Sequence, residues 1–476
     1  MNAAENGWPV LRGERTWKPL SIFSASVSAA IATWCFVIGG FVSFYLGAVH
    51  GTLAIIAGSL IGILLIVLAC VPISSKYGLD AVTSTRPQFG TRGSLLSVVL
   101  VYGSILGWNT ILFVLLGRAV RELLIAFGVV GHEGTGWIVG LAGTLGALLI
   151  VAMLLRGQNS VRDYGPIIAV SVLVLSFIVL VLLLVQFGVS TLLAAPATWP
   201  AESNSVNWAS GLEVLIASNL SWWAYTGAIV RNGPSARRAL WPVVIGLGLG
   251  VGIGSLTGLY AGLLLPESGG DPTQFLVQVG GPVVGVISLL FILVANIGTG
   301  LVGTFASTIA LRQLPGLRSL GWGATVVVGA LPVIVLVAFF GDGLFDYFNV
   351  FVAFLGLCFA PMCGIQIADF YVLRRHRLDV TSLYLNDKRS KYFYWGGFNP
   401  IALVAFAVGV AVYIYLLDPV TYSSRTPFEF MTATLPSALI AGVVYWAGTS
   451  LIAKPAAKGG YAEAGTQRAE AELIEQ

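Results

Sequence analysis

The stretch SASVSAAIATW (24–34) places small and hydroxyl-bearing residues in the middle of a long apolar run, and Gly39 and Gly40 follow it. Inside such a run a hydroxyl has no water to bind, so neighbouring protein groups must satisfy it. Three other apolar runs carry a similar polar centre: GSILGWNT (103–110), SNLSWWAYTG (218–227) and ANIGTGLVGT (295–304). Polar groups at similar depth in four runs predict one shared site, around which the glycine-rich stretches can unwind.

The composition of the whole chain is that of a membrane protein. Of 476 residues, 57% are hydrophobic and only 10% are charged, whereas soluble proteins carry about 25% charged residues. This balance excludes a soluble globular protein, a disordered chain and a nucleic-acid-binding protein. The four cysteines all lie within apolar runs, which predicts buried thiols and no disulfide framework or metal cluster. We therefore expect the lipid bilayer, and no nucleic acid, as a partner.

Apolar stretches long enough to cross a bilayer recur along the chain. A transmembrane helix needs about 20 apolar residues. Twelve stretches meet this requirement, near residues 20–47, 52–74, 95–126, 135–155, 165–189, 209–230, 239–265, 281–311, 320–341, 345–373, 398–417 and 430–453. We predict an all-α polytopic membrane protein with 12 transmembrane helices.

The distribution of basic residues predicts the orientation. If the N-terminus is inside, only Arg118, Arg121 and Arg425 of the 25 Lys and Arg residues fall outside. Cytoplasmic loops carry the excess of Lys and Arg, so this asymmetry favours twelve spans with both termini cytoplasmic, in the plasma (inner) membrane. Residues 1–19 and 454–476 are then cytoplasmic tails.

The residues at mid-depth indicate the kind of ligand. Trp108 and Trp222 offer flat stacking faces, while Asn109, Asn219 and Asn296 each offer a donor and an acceptor. Because no charged residue stands near them, these groups favour a small, flat, neutral heterocycle. Single Asn or Trp residues also serve as packing or interface residues in membranes. A zwitterionic amino acid, held by unwound helix ends, is the alternative.

Motifs spread along the chain resemble the nucleobase:cation symporter-1 family, particularly its cytosine-permease and hydantoin-transporter members. The matching segments cover about nine tenths of the chain. They are RTW (15–17), KYGLD (76–80), FGTRGS (89–94), GW (107–108), VRNG (230–233), NIGT (296–299), GIQIADFYVLRR (364–375), LY (383–384) and GGFN (396–399).

The resemblance implies a 5+5 inverted repeat, the leucine-transporter-like fold, plus two extra helices. The first five-helix repeat would span 20–189, the second 209–373 and the additional helices 398–453. It also implies alternating access, in which Trp108 stacks on the base and Asn296 contacts it. The substrate-binding residues expected on this basis are Trp108, Asn109, Asn219, Ser221, Trp222, Asn296, Ala29 and Thr33.

The family's sodium site resembles one formed by first-helix carbonyls near Ala25 and Ser28, with Asn296 and Thr299 from the eighth helix. The family has two adjacent hydroxyls on that helix, and Gly300 replaces the second. Na+ is therefore one expectation for the cation site and H+ is the other. For proton coupling the candidates are Glu213 and Asp369; the alternative for Glu213 is a helix-end cap, and the alternative for Asp369 is a structural partner of Arg374 and Arg375.

These observations predict a transporter and not an enzyme. The mid-depth residues include no His, no paired carboxylates and no activated thiol. We expect a secondary active transporter that imports a purine, pyrimidine, hydantoin or allantoin by cation-coupled alternating access. The alternative is an amino-acid or vitamin symporter of the same architecture. We expect no cofactor beyond the co-transported ion, and a monomer.

Overall fold

Nearly all of the described chain is helical. The computed structural model describes residues 8–156, 159–314, 316–317 and 319–461, with the backbone alone for Ser28, Arg156 and residues 159–172. The α-helices of these residues are α1 Pro19–Ala30, α2 Trp34–Tyr45, α3 Ala48–Tyr77, α4 Arg86–Phe89, α5 Leu95–Ala126, α6 Gly136–Arg156, α7 Asn159–Phe187, α8 Val189–Ala194, α9 Asn204–Leu220, α10 Trp223–Val230, α11 Ala236–Leu264, α12 Pro272–Leu311, α13 Trp322–Phe340, α14 Phe348–Ile367, α15 Val380–Leu383, α16 Pro400–Leu416, α17 Phe428–Met431 and α18 Thr434–Gly448. Single π-helical segments extend α14 over Ala368–Leu373 and α18 over Thr449–Ala453. The predicted all-α class is confirmed.

Each predicted apolar stretch coincides with one helix or with two helices in succession. The third stretch has the bounds of α5, and the tenth corresponds to α14 with its π-helical extension. By length and composition, 7 helical segments of the described residues could cross a membrane, and Trp34–Tyr45, Leu173–Phe187 and Pro400–Leu416 are shorter apolar helices. The exact number of twelve crossings remains a prediction.

The first and sixth predicted spans are interrupted near their middles. Residues 31–33 separate α1 from α2, and Ile31 is extended there (φ −87°, ψ 110°). Ser221 and Trp222 separate α9 from α10, and their N–H groups bond to carbonyls three residues back instead of four. Neither interruption contains a glycine. The unwinding therefore occurs in two of the four predicted spans and outside their glycine-rich segments.

The glycines of the third and eighth spans serve close packing instead of unwinding. A Cβ added at Gly107 would lie 2.2 Å from the Phe351 ring, and one at Gly303 would lie 2.4 Å from the Asn109 amide oxygen. Both glycines stand in continuous helix, because α12 leaves helical geometry only at Gly281 (φ 62°, ψ −168°). Small residues let membrane helices approach closely, so the expectation that these two segments unwind is wrong.

The packing of the helices brings the two interruptions together. α2 packs against both α9 and α11, and α3 packs along α9. α12 packs along α5 and also contacts α7, while α6 pairs with α13. The additional helices α16 and α18 pack against each other and against α14. The interrupted helices thus adjoin each other, with α12 and α5 close by.

Candidate functional site

The interruption between α1 and α2 is attached to α12. The Thr33 hydroxyl donates a hydrogen bond of 2.5 Å to the amide oxygen of Asn296, and both residues are buried. Ile31 packs with Ala295 of α12 in a small apolar cluster. The Cys35 thiol lies 3.2 Å from the Ala30 carbonyl and bonds to it. The thiol thus satisfies a backbone carbonyl that the missing helical turn leaves without an N–H partner, and the other two contacts attach the interruption to α12.

Three buried tryptophans from three elements meet beside this interruption. Trp34 begins α2, Trp108 lies within α5, and Trp222 lies in the break between α9 and α10. The Trp34 ring centroid is 4.7 Å from that of Trp108 and 5.8 Å from that of Trp222, with both pairs tilted. We call Trp34, Trp108 and Trp222 the indole cluster. It is an aromatic surface in the protein interior with exposures of 3%, 3% and 4%.

Phenylalanines of α14 hold the indole of Trp108 from the side. Phe351 contacts it edge-on at 5.1 Å and Phe348 at 5.9 Å. Phe41 of α2 in turn stacks on Phe348 at 5.3 Å. Edge-to-face contacts of this kind fix the orientation of an aromatic ring. α14 therefore contacts the indole cluster through Trp108 and contacts α2 through Phe41.

Asn296 of α12 is joined to this arrangement through Thr33, the residue before Trp34. Its oxygen accepts the bond from Thr33, whereas its amide nitrogen, fully buried, has no hydrogen-bond partner among the described residues. A buried N–H without a partner is costly. Asn296 can therefore donate to an acceptor presented next to Trp34.

The other predicted polar residues face elsewhere. Asn109 donates to Thr304 of α12 at 3.2 Å and lines a narrow cavity of about 10 Å³ with Tyr102 and Ser307. Asn219 donates to the Leu215 carbonyl of its own helix, and its Cβ packs where Gly62 of α3 leaves room. Its amide oxygen has no partner among the described residues.

Ser221 and Ala29 complete the predicted substrate residues. The Ser221 hydroxyl donates to the Ser218 carbonyl at 2.7 Å, so it supports the break between α9 and α10. Ala29 is half-buried near the end of α1. Thus Trp108 and Trp222 are connected through Trp34, and Thr33 and Asn296 adjoin them through the break. Asn109 and Asn219 pack against other helices.

The predicted cation residues give a sparse oxygen set. Thr299 and Ala25 are half-buried, and the side chain of Ser28 lies outside the described residues. A Cβ added at Gly300 would lie 2.9 Å from Ile150 and 3.0 Å from Phe113. Position 300 therefore faces α5 and α6, and a side chain there would press against Ile150 and Phe113.

Glu213 caps a helix. Its carboxylate accepts hydrogen bonds from the N–H groups of Ala433 and Thr434, both at 3.1 Å, and from the Thr434 hydroxyl at 2.6 Å. These groups form the start of α18, where the helix dipole favours negative charge. The fully buried carboxylate thus joins α9 to α18.

Asp369 belongs to a buried ion-pair network at the C-terminal end of α14, in its π-helical extension. It pairs with Arg374 at 2.7 Å and accepts from Gln88 at 2.8 Å. The hydroxyls of Tyr461 and Tyr445 donate to its other oxygen at 2.7 and 3.2 Å. Arg374 also donates to the carbonyls of Pro87 and Gly459. Each charge has partners, as buried charges require.

Sequence reasoning gave no role to three residues that form the centre of the site. Trp34 is the last residue of the stretch quoted first, but only the fold shows that its ring reaches both other indoles. Phe348 and Phe351 lie in a uniformly apolar run without a polar marker. Their spacing of three residues, which places both on one helix face, is the signal that was available.

The sequence and fold were compared with those of known proteins. The purine-uracil permease NCS1 of Arabidopsis thaliana is 23% identical over 476 residues, which cover 92% of this chain and 76% of the relative. The hydantoin permease of Microbacterium maritypicum is 23% identical over 425 residues, which cover 85% of this chain and 82% of the relative. The structure of Mhp1 in its inward facing conformation has a TM-score of 0.79 at 19% identity and covers 95% of this chain and 94% of that one.

The structural likeness confirms the expected leucine-transporter-like fold. A family-level sequence match extends over residues 9–442, which include the indole cluster and the interruptions in both broken helices. It is the match to a family of membrane permeases. The chain therefore belongs to the family of permeases for cytosine/purines, uracil, thiamine and allantoin.

Proposed function

We propose that the protein imports a small, flat, neutral heterocycle of the nucleobase or hydantoin class and couples its uptake to a cation gradient. The indole cluster carries this proposal, because stacking on an aromatic face suits a planar ring of either class. The names of the relatives, a purine-uracil permease and a hydantoin permease, support the same chemistry.

In this proposal the substrate stacks on Trp108 and Trp222 and accepts a hydrogen bond from the amide of Asn296. Thr33 orients that amide through the bond to its oxygen. The unsatisfied oxygen of Asn219 provides an acceptor only if its side chain turns away from α3. The further ring contacts described for the indole cluster involve only Phe348, Phe351 and Tyr225, and these uncharged surroundings support a neutral substrate.

The coupling ion is proposed to bind between the end of α1 and α12. Carbonyls near Ala25 and Ser28, together with Asn296 and Thr299, are the oxygens proposed for Na+, as carbonyls of unwound helices are in other transporters. Proton coupling through Glu213 or Asp369 is the alternative. The complete sets of partners around both carboxylates support structural roles for them instead.

We further propose a plasma-membrane monomer with both termini cytoplasmic. Its two five-helix halves would run from α1 to α7 and from α9 to α14, so that an interrupted helix begins each half. Repeats with an odd number of spans have opposite topologies, as alternating access by inverted repeats requires. The asymmetry of basic residues supports the orientation.

Uptake into proteoliposomes tests substrate and coupling together. Labelled uracil, a purine, hydantoin, allantoin and thiamine would each be offered under a sodium gradient alone, a pH gradient alone and neither. We expect concentrative uptake of a heterocycle under one gradient only. Equal uptake without either gradient would contradict cation coupling, and uptake of none of the heterocycles would contradict the substrate class.

A further inference from the structure

Trp34 lies between the two aromatic faces proposed for the substrate. Its ring contacts both Trp108 and Trp222, whereas no ring contact joins those two to each other within the described part of the chain. All three side chains are buried. The indole of Trp34 therefore fills the space that separates the two faces.

The distances leave no room for another ring in that space. Two aromatic rings that hold a planar ligand between them stand roughly 7 Å apart, which is twice a carbon–carbon contact distance. The Trp34 centroid is only 4.7 Å from Trp108 and 5.8 Å from Trp222. A heterocycle can thus occupy the sides of Trp108 and Trp222 that contact Trp34 only after Trp34 moves.

The position of Trp34 in the chain allows such a movement. It is the first residue of α2 and follows residues 31–33, which lie outside both helices, so its ring direction depends on the backbone of the interruption. The Thr33 side chain fixes this backbone to α12 through Asn296. The amide nitrogen of Asn296 is available as a donor at the same place. A ligand that engages this amide therefore acts on the segment that carries Trp34.

We propose that Trp34 determines substrate size by occupying the stacking space between Trp108 and Trp222 until the substrate displaces it. The proposal rests on the proposed function. Only molecules in which this space is open can bind the substrate. The apparent affinity is therefore the intrinsic affinity multiplied by the fraction of open molecules. A smaller side chain at position 34 raises that fraction, and it also leaves room for ligands with larger substituents.

Binding measurements on purified protein test this proposal. The dissociation constants of uracil, hydantoin and 5-benzylhydantoin would be measured for the wild type, Trp34→Phe and Trp34→Ala, with Trp322→Phe in α13 as the control. We expect Trp34→Ala to lower the dissociation constants by roughly tenfold, most for benzylhydantoin, with Trp34→Phe intermediate and Trp322→Phe unchanged. Higher or unchanged dissociation constants in the Trp34 variants would overturn the proposal.

A second measurement does not depend on the folding of Trp34→Ala. Wild-type protein labelled with 5-fluorotryptophan gives a fluorine resonance for Trp34, which is assigned by its loss in Trp34→Phe. Ligand should shift this resonance, and an unshifted resonance at saturating ligand would overturn displacement. If the proposed function itself fails, no heterocycle binds the wild type or any Trp34 variant. If only the Trp34 proposal fails, heterocycles still bind the wild type.

Discussion

At Trp108 the indole is held by near-perpendicular ring contacts with Phe348 and Phe351, and in our proposal a heterocycle stacks on it where Trp34 now packs. We expect Trp108→Ala to weaken heterocycle binding by about 1–3 kcal/mol, the usual contribution of a stacked base. Trp322→Ala is the matched control, since Trp322 packs on Phe305 outside the indole cluster. Titration of both purified variants, after a check of monodispersity, measures the effect. Equal dissociation constants for Trp108→Ala and the wild type would contradict a stacking role.

The bond between Thr33 and Asn296 allows two roles of the amide to be separated. Asn296→Ala removes both this bond and the free amide N–H, whereas Thr33→Val removes only the bond. We expect Asn296→Ala to weaken binding by about 1–3 kcal/mol, because a buried substrate acceptor loses its donor. Thr33→Val should have a smaller effect in the same titration. Equal losses would mean that Asn296 acts on the interruption and not on the substrate.

At this scale the sequence indicates which residues are chemically useful but not where each one points. Trp108 and Asn109 are neighbours, yet a helix turns about 100° per residue, so one reaches the indole cluster and the other reaches Thr304. Nothing in one sequence distinguishes these two faces when both are buried. The role of Trp34 could not be predicted for a related reason, because an indole in an apolar run is equally suited to packing.

At the scale of the helices, the buried carboxylate of Glu213 joins α9 to the start of α18. Glu213→Gln replaces an acceptor of three hydrogen bonds by a neutral amide with one oxygen. We expect it to lower stability by about 1–3 kcal/mol and to leave the pH dependence of uptake unchanged. Thermal unfolding in detergent and uptake at several pH values measure the two effects. The control is Glu429→Gln in α17, and a flattened pH profile for Glu213→Gln would indicate proton coupling.

Asp369 joins α14 to the segment after α18. Asp369→Asn leaves the guanidinium of Arg374 buried without its counter-charge, and breaking a buried pair in this way costs about 3–5 kcal/mol. The control is Asp387→Asn, because Asp387 and Arg389 form an exposed pair that contributes only about 0–1 kcal/mol. Apparent melting temperatures should fall strongly for the first variant and little for the second. Similar values for both would contradict a structural role for the buried pair.

The positions of the helices can be predicted from hydropathy. An apolar segment within the bilayer has no water for its backbone N–H and C=O groups, so it must satisfy them by forming a helix. The interruptions do not follow from it. Thr33 and Asn296 are 263 residues apart, and their hydrogen bond attaches the interruption of the first span to α12. The sequence instead suggested unwinding at glycines, which in α5 and α12 let Phe351 and Asn109 approach. A segment rich in small residues can therefore mark either a close approach of two helices or a break within one helix, and local composition does not distinguish the two.

For the whole molecule, the predicted orientation rests on the basic residues and can be tested without knowledge of the substrate. Lys388 is exposed in the basic loop before α16, and Thr421 is exposed in the loop after it. If α16 crosses the membrane and the loop before it is cytoplasmic, these two positions lie on opposite sides. We expect a membrane-impermeant maleimide to label Thr421→Cys but not Lys388→Cys in intact cells, and both after permeabilisation. The native protein provides the background, since its cysteines are buried or half-buried. Labelling of Lys388→Cys in intact cells would reverse the orientation, and labelling of both would show that α16 does not separate the two loops.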